Sequence, residues 1–247
     1  MNAVKSINSG RRSGWGMLAA VLPAVFPLLL ATISFGLWTG LGQTSQVSAV
    51  ERFNTWLLVT AGLALWLLAV SILAGVGFYR RYPVAITVGV PVLAGIGLLL
   101  LTRLPHLSQL LDATPRSWLI STMVVRLVGG SFLAGVARRE LAKPFFAVWA
   151  GSLDVFVGAT ALPIAWWVSS GLPIATVAAV AWNVIGLVDF IGSVVIAGAV
   201  RGSGPAHMLS LNTPVMGAIK PTIYAITTWG VPVAIIVHIL SLWRLSR

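Results

Sequence analysis

Five polar residues stand inside runs that are otherwise apolar enough to cross a bilayer, and they are the chain's candidates for chemistry. Arg126 lies in Val124-Val125-Arg126-Leu127-Val128-Gly129-Gly130 and Asp154 in Gly151-Ser152-Leu153-Asp154-Val155-Phe156-Val157-Gly158. Asn183 and Asp189 share the run from Trp182 to Phe190, and His238 lies in the last apolar run. An unpaired charge at mid-membrane costs ~2.5–3.5 kcal/mol on insertion scales, so each ion asks for a partner, a ligand or a proton to handle. A guanidinium with two carboxyls and an imidazole is a set that can pair internally, hold a charged solute, or pass protons along a bundle interior.

Helical geometry brings Arg126 and Asp154 toward one another, while Asp189 is expected in the cytoplasmic half and His238 toward the outer face. At ~1.5 Å rise per residue, Arg126 lies ~12 Å below one interface and Asp154 ~13 Å above the other, depths that overlap near the membrane centre. Arg126 shares a helix face with Gly129, Gly130 and Leu133, and Asp154 shares one with Gly151 and Gly158. Both charges therefore sit in small-residue grooves that permit close helix approach, and a direct Arg126–Asp154 pair is expected. Trp182, Gly186, Asp189 and Ser193 line one stripe at 100° per residue, with Asn183 beside it, which predicts a polar face turned into the bundle. His238 shares a stripe with Tyr224, Thr227, Val231 and Ala234, whereas His106 and His207 fall in loops. It reads either as a hydrogen-bonding residue or as a single axial ligand to a porphyrin or chlorophyll-type pigment. Bis-histidine haem ligation would need a second intramembrane histidine. A retinal Schiff base would need a lysine deep in the last run, where Lys220 instead precedes Pro221.

The elements that must position these residues follow from composition. Of 247 residues 58% are hydrophobic and 9% charged, against roughly 25% charged in an ordinary soluble domain, and mean hydropathy is +0.97. The fold class is an all-α polytopic membrane protein. Seven apolar runs meet or approach the ~20 residues that a bilayer requires: Trp15 to Leu41, Thr55 to Phe78, Val84 to Leu101, Trp118 to Ala137, Phe145 to Val168, Ile174 to Val200 and Pro221 to Trp243. All should be α-helices, since lipid cannot satisfy open backbone and the runs lack the alternation of barrel strands. Pro91 near the middle of the third predicts a kink or local irregularity, and Pro214 to Lys220 an interfacial lead-in to the last helix. The organisation expected is a basic tail over residues 1–14 and one seven-helix domain over residues 15–247.

Net charge is +11, but most Lys and Arg fall in short segments between apolar runs, where they orient the chain and touch anionic lipid. No soluble basic domain is present to carry nucleic acid. One side collects Lys5, Arg11, Arg12, Arg80, Arg81, Arg138, Arg139, Lys143 and Arg201, while the other keeps Arg52, Arg103, Arg116, Arg244 and Arg247. The imbalance predicts a cytoplasmic N-terminus and an outside C-terminus. Trp15, Trp38, Trp56, Trp118, Trp166, Trp167 and Trp243 stand at run ends, as an interfacial belt places them. The run after Arg11-Arg12 is longer than a signal-peptide core and no small-x-small site closes it, so it reads as a span. Cysteine is absent, which excludes disulfides and thiolate metal sites.

The succession Gly151 to Gly158, Trp182 to Phe190, Lys220-Pro221-Thr222, Val231-Pro232 and His238-Ile239-Leu240-Ser241-Leu242 resembles a group of uncharacterised bacterial multi-pass membrane proteins, over about Arg126 to Arg247. The resemblance implies a bacterial inner (plasma) membrane and carries no chemistry. No phosphate loop, metal helix or nucleophile set identifies an enzyme, and no metal ligand set is read. Two functional readings stand ahead of an intramembrane enzyme. One is proton-linked transport or passage of a small solute through Arg126, Asp154, Asn183 and Asp189. The other is a non-catalytic accessory subunit of a larger membrane complex, with lipids and other membrane-protein subunits as partners, holding lipid, quinone or a pigment. The cofactor, if one is held, is unknown from sequence.

Overall fold

A computed structural model describes residues 26–27, 29–42, 48–82, 84–137, 145–199, 220 and 223–246. The basic tail over residues 1–14, Trp15, Arg138, Arg139, Lys143, Arg201, His207 and the lead-in over residues 214–219 lie outside the described residues, as do Lys5, Arg11 and Arg12. Every regular element among the described residues is a helix, and six stretches are long and apolar enough to cross a membrane.

In chain order these are α1 (Leu29–Gly42), α2 (Ala49–Gly75), the single turn α3 (Phe78–Arg81) and α4 (Val84–Arg103). The short α5 (Pro105–Ala113) follows, then a composite span of α6 (Arg116–Ser121), a 3-10 segment (Thr122–Gly129) and α7 (Gly130–Ala137). Then come α8 (Phe145–Ser169), α9 (Pro173–Ala199), and a last span whose π-helical turn (Ile226–Gly230) leads into α10 (Val231–Leu245). Gly171 closes the tight α8–α9 turn at φ +73°, a conformation that glycine adopts without steric cost.

α8 is the hub. Its buried residues Ala147, Ala150, Gly151, Asp154, Val157, Gly158, Ala161 and Ala165 recur at three- and four-residue spacing and form one small-residue stripe. Without bulky side chains, backbones approach closely and dispersion contacts accumulate. The composite span uses that groove. A Cβ added to Gly158 would lie 2.6 Å from the Leu127 amide nitrogen, and one on Gly151 would lie 3.1 Å from the Gly129 carbonyl oxygen. α9 also packs on α8, and α10 packs against α9, α4 and α6.

Three expectations need correction. The span Trp118 to Ala137 is not uniformly α: its centre narrows to 3-10, where three residues per turn stack Met123, Arg126 and Gly129 on one buried face. α4 runs from Val84 to Arg103 with Pro91 inside it. An irregularity also lies in the last span, where Pro232 has no N–H for the Thr228 carbonyl and the preceding turn widens to π geometry. There the Thr227 and Thr228 hydroxyls turn back onto the chain and donate to the carbonyls of Ile223 and Tyr224. His106 belongs to α5 and not to a loop. α2 also starts earlier than Thr55, because Ser48 and Glu51 form a capping box: the Ser48 hydroxyl accepts from the Glu51 amide and the Glu51 carboxylate accepts from the Ser48 amide.

Candidate functional site

The 3-10 segment, α8, α9 and α10 converge on the Arg126 guanidinium. Arg126 is 4% exposed, Asp154 8%, Asp189 1%, and Asn183 and His238 0%. Nε of Arg126 donates to Asp154 Oδ1 at 2.6 Å, Nη2 donates to Asp189 Oδ2, and Nη1 donates to the Gly186 carbonyl at 3.2 Å. Nη1 also faces Nε2 of His238 at 3.1 Å. An arginine nitrogen only donates, so Nε2 is the acceptor and the imidazole hydrogen sits on Nδ1. Nδ1 in turn donates to Asn183 Oδ1 at 2.9 Å, which leaves the Asn183 amide to donate to the Ala179 carbonyl at 2.8 Å and to Ser241 Oγ at 3.1 Å. Each partner's role follows from its neighbour's: donation runs outward from Arg126, to the carboxylates on one side and through His238 and Asn183 to Ser241 on the other.

Local sequence explains why this set assembles. Asn183, Gly186 and Asp189 lie one turn apart on α9 and face the guanidinium together. Gly186 is required there: a Cβ would collide with the His238 ring and come within 3.0 Å of Arg126 Nη1. Gly129 plays the same part opposite Asp154, whose side chain fills the space a Cβ would take. The face of the guanidinium rests on Phe190, 4.4 Å from the ring centroid, where the ring quadrupole favours a cation. Trp182 packs its ring against His238 at 5.4 Å and is itself held by a 2.8 Å bond from Nε1 to the Thr160 hydroxyl.

All five residues singled out by sequence, Arg126, Asp154, Asn183, Asp189 and His238, thus meet at one place. Sequence reasoning did not select Ser241, Gly186 as an acceptor, or Phe190. Ser241 stands three residues after His238 on the same face, a spacing that points to it once His238 is suspected. The Gly186 carbonyl carries no side-chain signal. Both imidazole nitrogens are engaged, so a pigment bound axially through His238 would have to displace either Arg126 or Asn183. Among the described residues no group of three or more His, Asp or Glu side chains is arranged to hold a metal ion.

A family model described as a domain of unknown function, DUF8737, matches residues 83–246. The chain belongs to this family. No curated protein and no solved structure matches it. The matched segment holds α4 through α10 and every member of the ionic cluster, while α1, α2 and α3 precede it.

The arrangement has a definite charge. One guanidinium faces two carboxyls, so with both ionised the cluster carries −1. A neutral interior requires one proton among the carboxyls.

Proposed function

We propose that the chain is a bacterial inner-membrane protein that carries protons, alone or linked to a small solute, with Arg126, Asp154 and Asp189 as its proton-binding site. The supporting observation is the pairing of one buried guanidinium with two buried carboxyls. A pure helix lock is complete with one carboxylate per arginine, and a second one adds a desolvation cost of several kcal/mol unless it takes a proton. Irregular backbone beside the cluster fits the same reading, since 3-10 segments and π turns within spans are common where a helix must bend or expose its backbone. In this reading the chain crosses the membrane seven times, α1 being the end of the first crossing, with the N-terminus cytoplasmic as the Lys and Arg distribution suggests.

Proteoliposomes holding the full-length chain and a trapped pH dye test it. With a potassium diffusion potential imposed, the wild type should acidify the lumen faster than empty vesicles. Asp154→Asn and Asp189→Asn should each abolish the difference, because each leaves one carboxylate for one guanidinium. Wild-type flux equal to that of empty vesicles sinks the proposal.

A second reading is favoured by the small free volume beside the cluster, about 30 Å3, which fits water but no organic solute. In that reading the chain is an accessory subunit whose cluster fixes α8, α9 and α10, and it associates with lipids and other membrane-protein subunits. Purification from the native membrane in mild detergent, with an absorption spectrum and mass spectrometry of what co-elutes, separates the two. A stoichiometric partner or pigment supports the subunit; a colourless lone chain supports proton passage.

A further inference from the structure

The two carboxyls are not equivalent. Asp189 has both oxygens engaged, Oδ2 by Arg126 and Oδ1 by the Ser193 hydroxyl at 3.5 Å, and its side chain is 2% exposed. Asp154 gives Oδ1 to Arg126, while Oδ2 receives no hydrogen bond from the described residues and lies over the bare Cα of Gly129. Its side chain is 12% exposed, and it lines a cavity of about 30 Å3 from which Asp189 is absent.

That volume holds a water molecule, which needs about 10–15 Å3 and at least two polar partners. Asp154 supplies one. Arg126 also lines the cavity and uses four of its five N–H groups on Asp154, Asp189, Gly186 and His238, so the fifth is available. The remaining wall is apolar and includes Phe26, Phe190 and, from the π turn and its continuation, Ile226, Gly230 and Val231. The charged and titratable groups facing Asp154 are Arg126 from the 3-10 segment, Asp189 from α9 and, through Arg126, His238 from α10.

We infer that Asp154 is the carboxyl that takes up and releases the site's proton, through a water held in this cavity, while Asp189 stays as the fixed counter-ion of Arg126. The inference rests on the proton-carrying reading above. Uptake is a simple transfer: a water in the cavity hands one proton to the Asp154 carboxylate and is reprotonated by a hydronium ion from the aqueous phase, which leaves two neutral waters and involves no change of oxidation state. Gly230 lines the cavity, and a Cβ there meets only the Ala225 carbonyl oxygen within 4 Å, at an ordinary contact distance of 3.7 Å, so a side chain can be added at the cavity wall without a clash.

Infrared spectroscopy of the reconstituted full-length chain, moved from H2O to D2O, tests this. The wild type should show one protonated-carboxyl stretch that shifts on deuteration. Asp154→Glu should move that band, since the proton then sits on a different side chain, and Asp189→Glu should leave it in place. Gly230→Val should preserve the band and slow its exchange at least tenfold. A band that moves in Asp189→Glu and stays in Asp154→Glu overturns the assignment while leaving proton binding intact. A wild type with no exchangeable carboxyl band overturns the proton-carrying reading itself. Should an aspartate variant fail to elute as a folded protein, Gly230→Val decides: wild-type exchange in that variant overturns the cavity route.

Discussion

α2 and the last span, Ile223–Leu245, are both apolar and long enough to cross a bilayer, yet they occupy opposite environments. The most apolar 18-residue window of α2 has a mean hydropathy of 2.4 and is 6% buried, whereas that of the last span has 1.9 and is 67% buried. The less apolar helix is the interior one. In water the order is reversed, because burial there removes apolar surface from solvent. In lipid the outside is already apolar, so burial gains nothing for leucine and instead selects small residues that pack closely and polar ones that find partners. The last span and α9, with His238, Ser241, Asn183 and Asp189, are built that way. α2 turns Leu57, Leu58, Leu65, Leu68 and Ile72 outward; it buries Leu67 and Val70, bonds α1 through Trp56 and Thr60, and accepts at the Leu63 carbonyl from the Trp229 indole at 3.1 Å.

The contrast predicts where the molecule breaks. Arg126→Met should have the largest effect, a loss of roughly 3–5 kcal/mol, because two buried carboxyls lose the one cation that pairs with them among the described residues and the Gly186 carbonyl and His238 lose a donor. Unfolding in mixed detergent micelles measures it. Adding Asp154→Leu should recover part of the loss, and that non-additivity marks the two residues as one unit. A loss below 1 kcal/mol for Arg126→Met would mean that the interior does not depend on the cluster.

Glycines sharpen the comparison at intermediate cost. Gly186→Ala forces a methyl into the His238 ring and should cost about 1–3 kcal/mol by overpacking. Gly62→Ala in α2 has nothing within 4 Å of its new methyl and should stabilise by about 0.4–1 kcal/mol through the unfolded chain alone. Opposite signs in one assay would confirm that the two regions follow different rules. The same sign at both sites would contradict it.

These differences also set what the sequence reveals. Spans are legible because each is a long apolar run, and Arg126, Asp154 and Asp189 are legible because a charge in such a run needs a reason. The Arg126–Asp154 pair was readable from depth and face, since Gly129, Gly151 and Gly158 mark where backbones meet, whereas the joining of Asp189 and His238 to it was not, because depth alone set them toward opposite faces. The 3-10 centre was not, because Thr122 to Val128 contains neither Gly nor Pro and its narrowing is imposed by packing onto α8. α5 escapes a reading tuned to span length: nine residues cannot cross, and its Leu111 is buried only because α4 and the last span bracket it. Pro232 announces a disturbance in the last span but not its kind. The Ser48-Glu51 box is a local signal that hydropathy overlooks, since Glu51 and Arg52 look like the end of a loop when only apolar residues are counted. Ser48→Ala should cost about 1 kcal/mol, seen as faster amide exchange confined to the first turn of α2 with the ionic cluster unmoved.

The smallest effect is expected where the same ion-pair chemistry meets water. Arg244 and Asp112 approach to 3.5 Å, tying the end of α10 to α5, with side chains 17% and 46% exposed. Arg244 also donates to the Thr114 carbonyl at 3.3 Å. Solvent screens such a pair and its long side chain loses entropy on pairing, so Asp112→Asn should cost no more than about 1 kcal/mol. Raising salt to about 1 M shortens the Debye length to ~3 Å and should erase that difference, while leaving the effect of Arg126→Met unchanged. Unfolding of both variants at low and high salt therefore places each pair in its medium. If Arg126→Met also weakened with salt, the central cluster would be in contact with bulk water, and the charge balance argued for it would be set by ions and not by a proton.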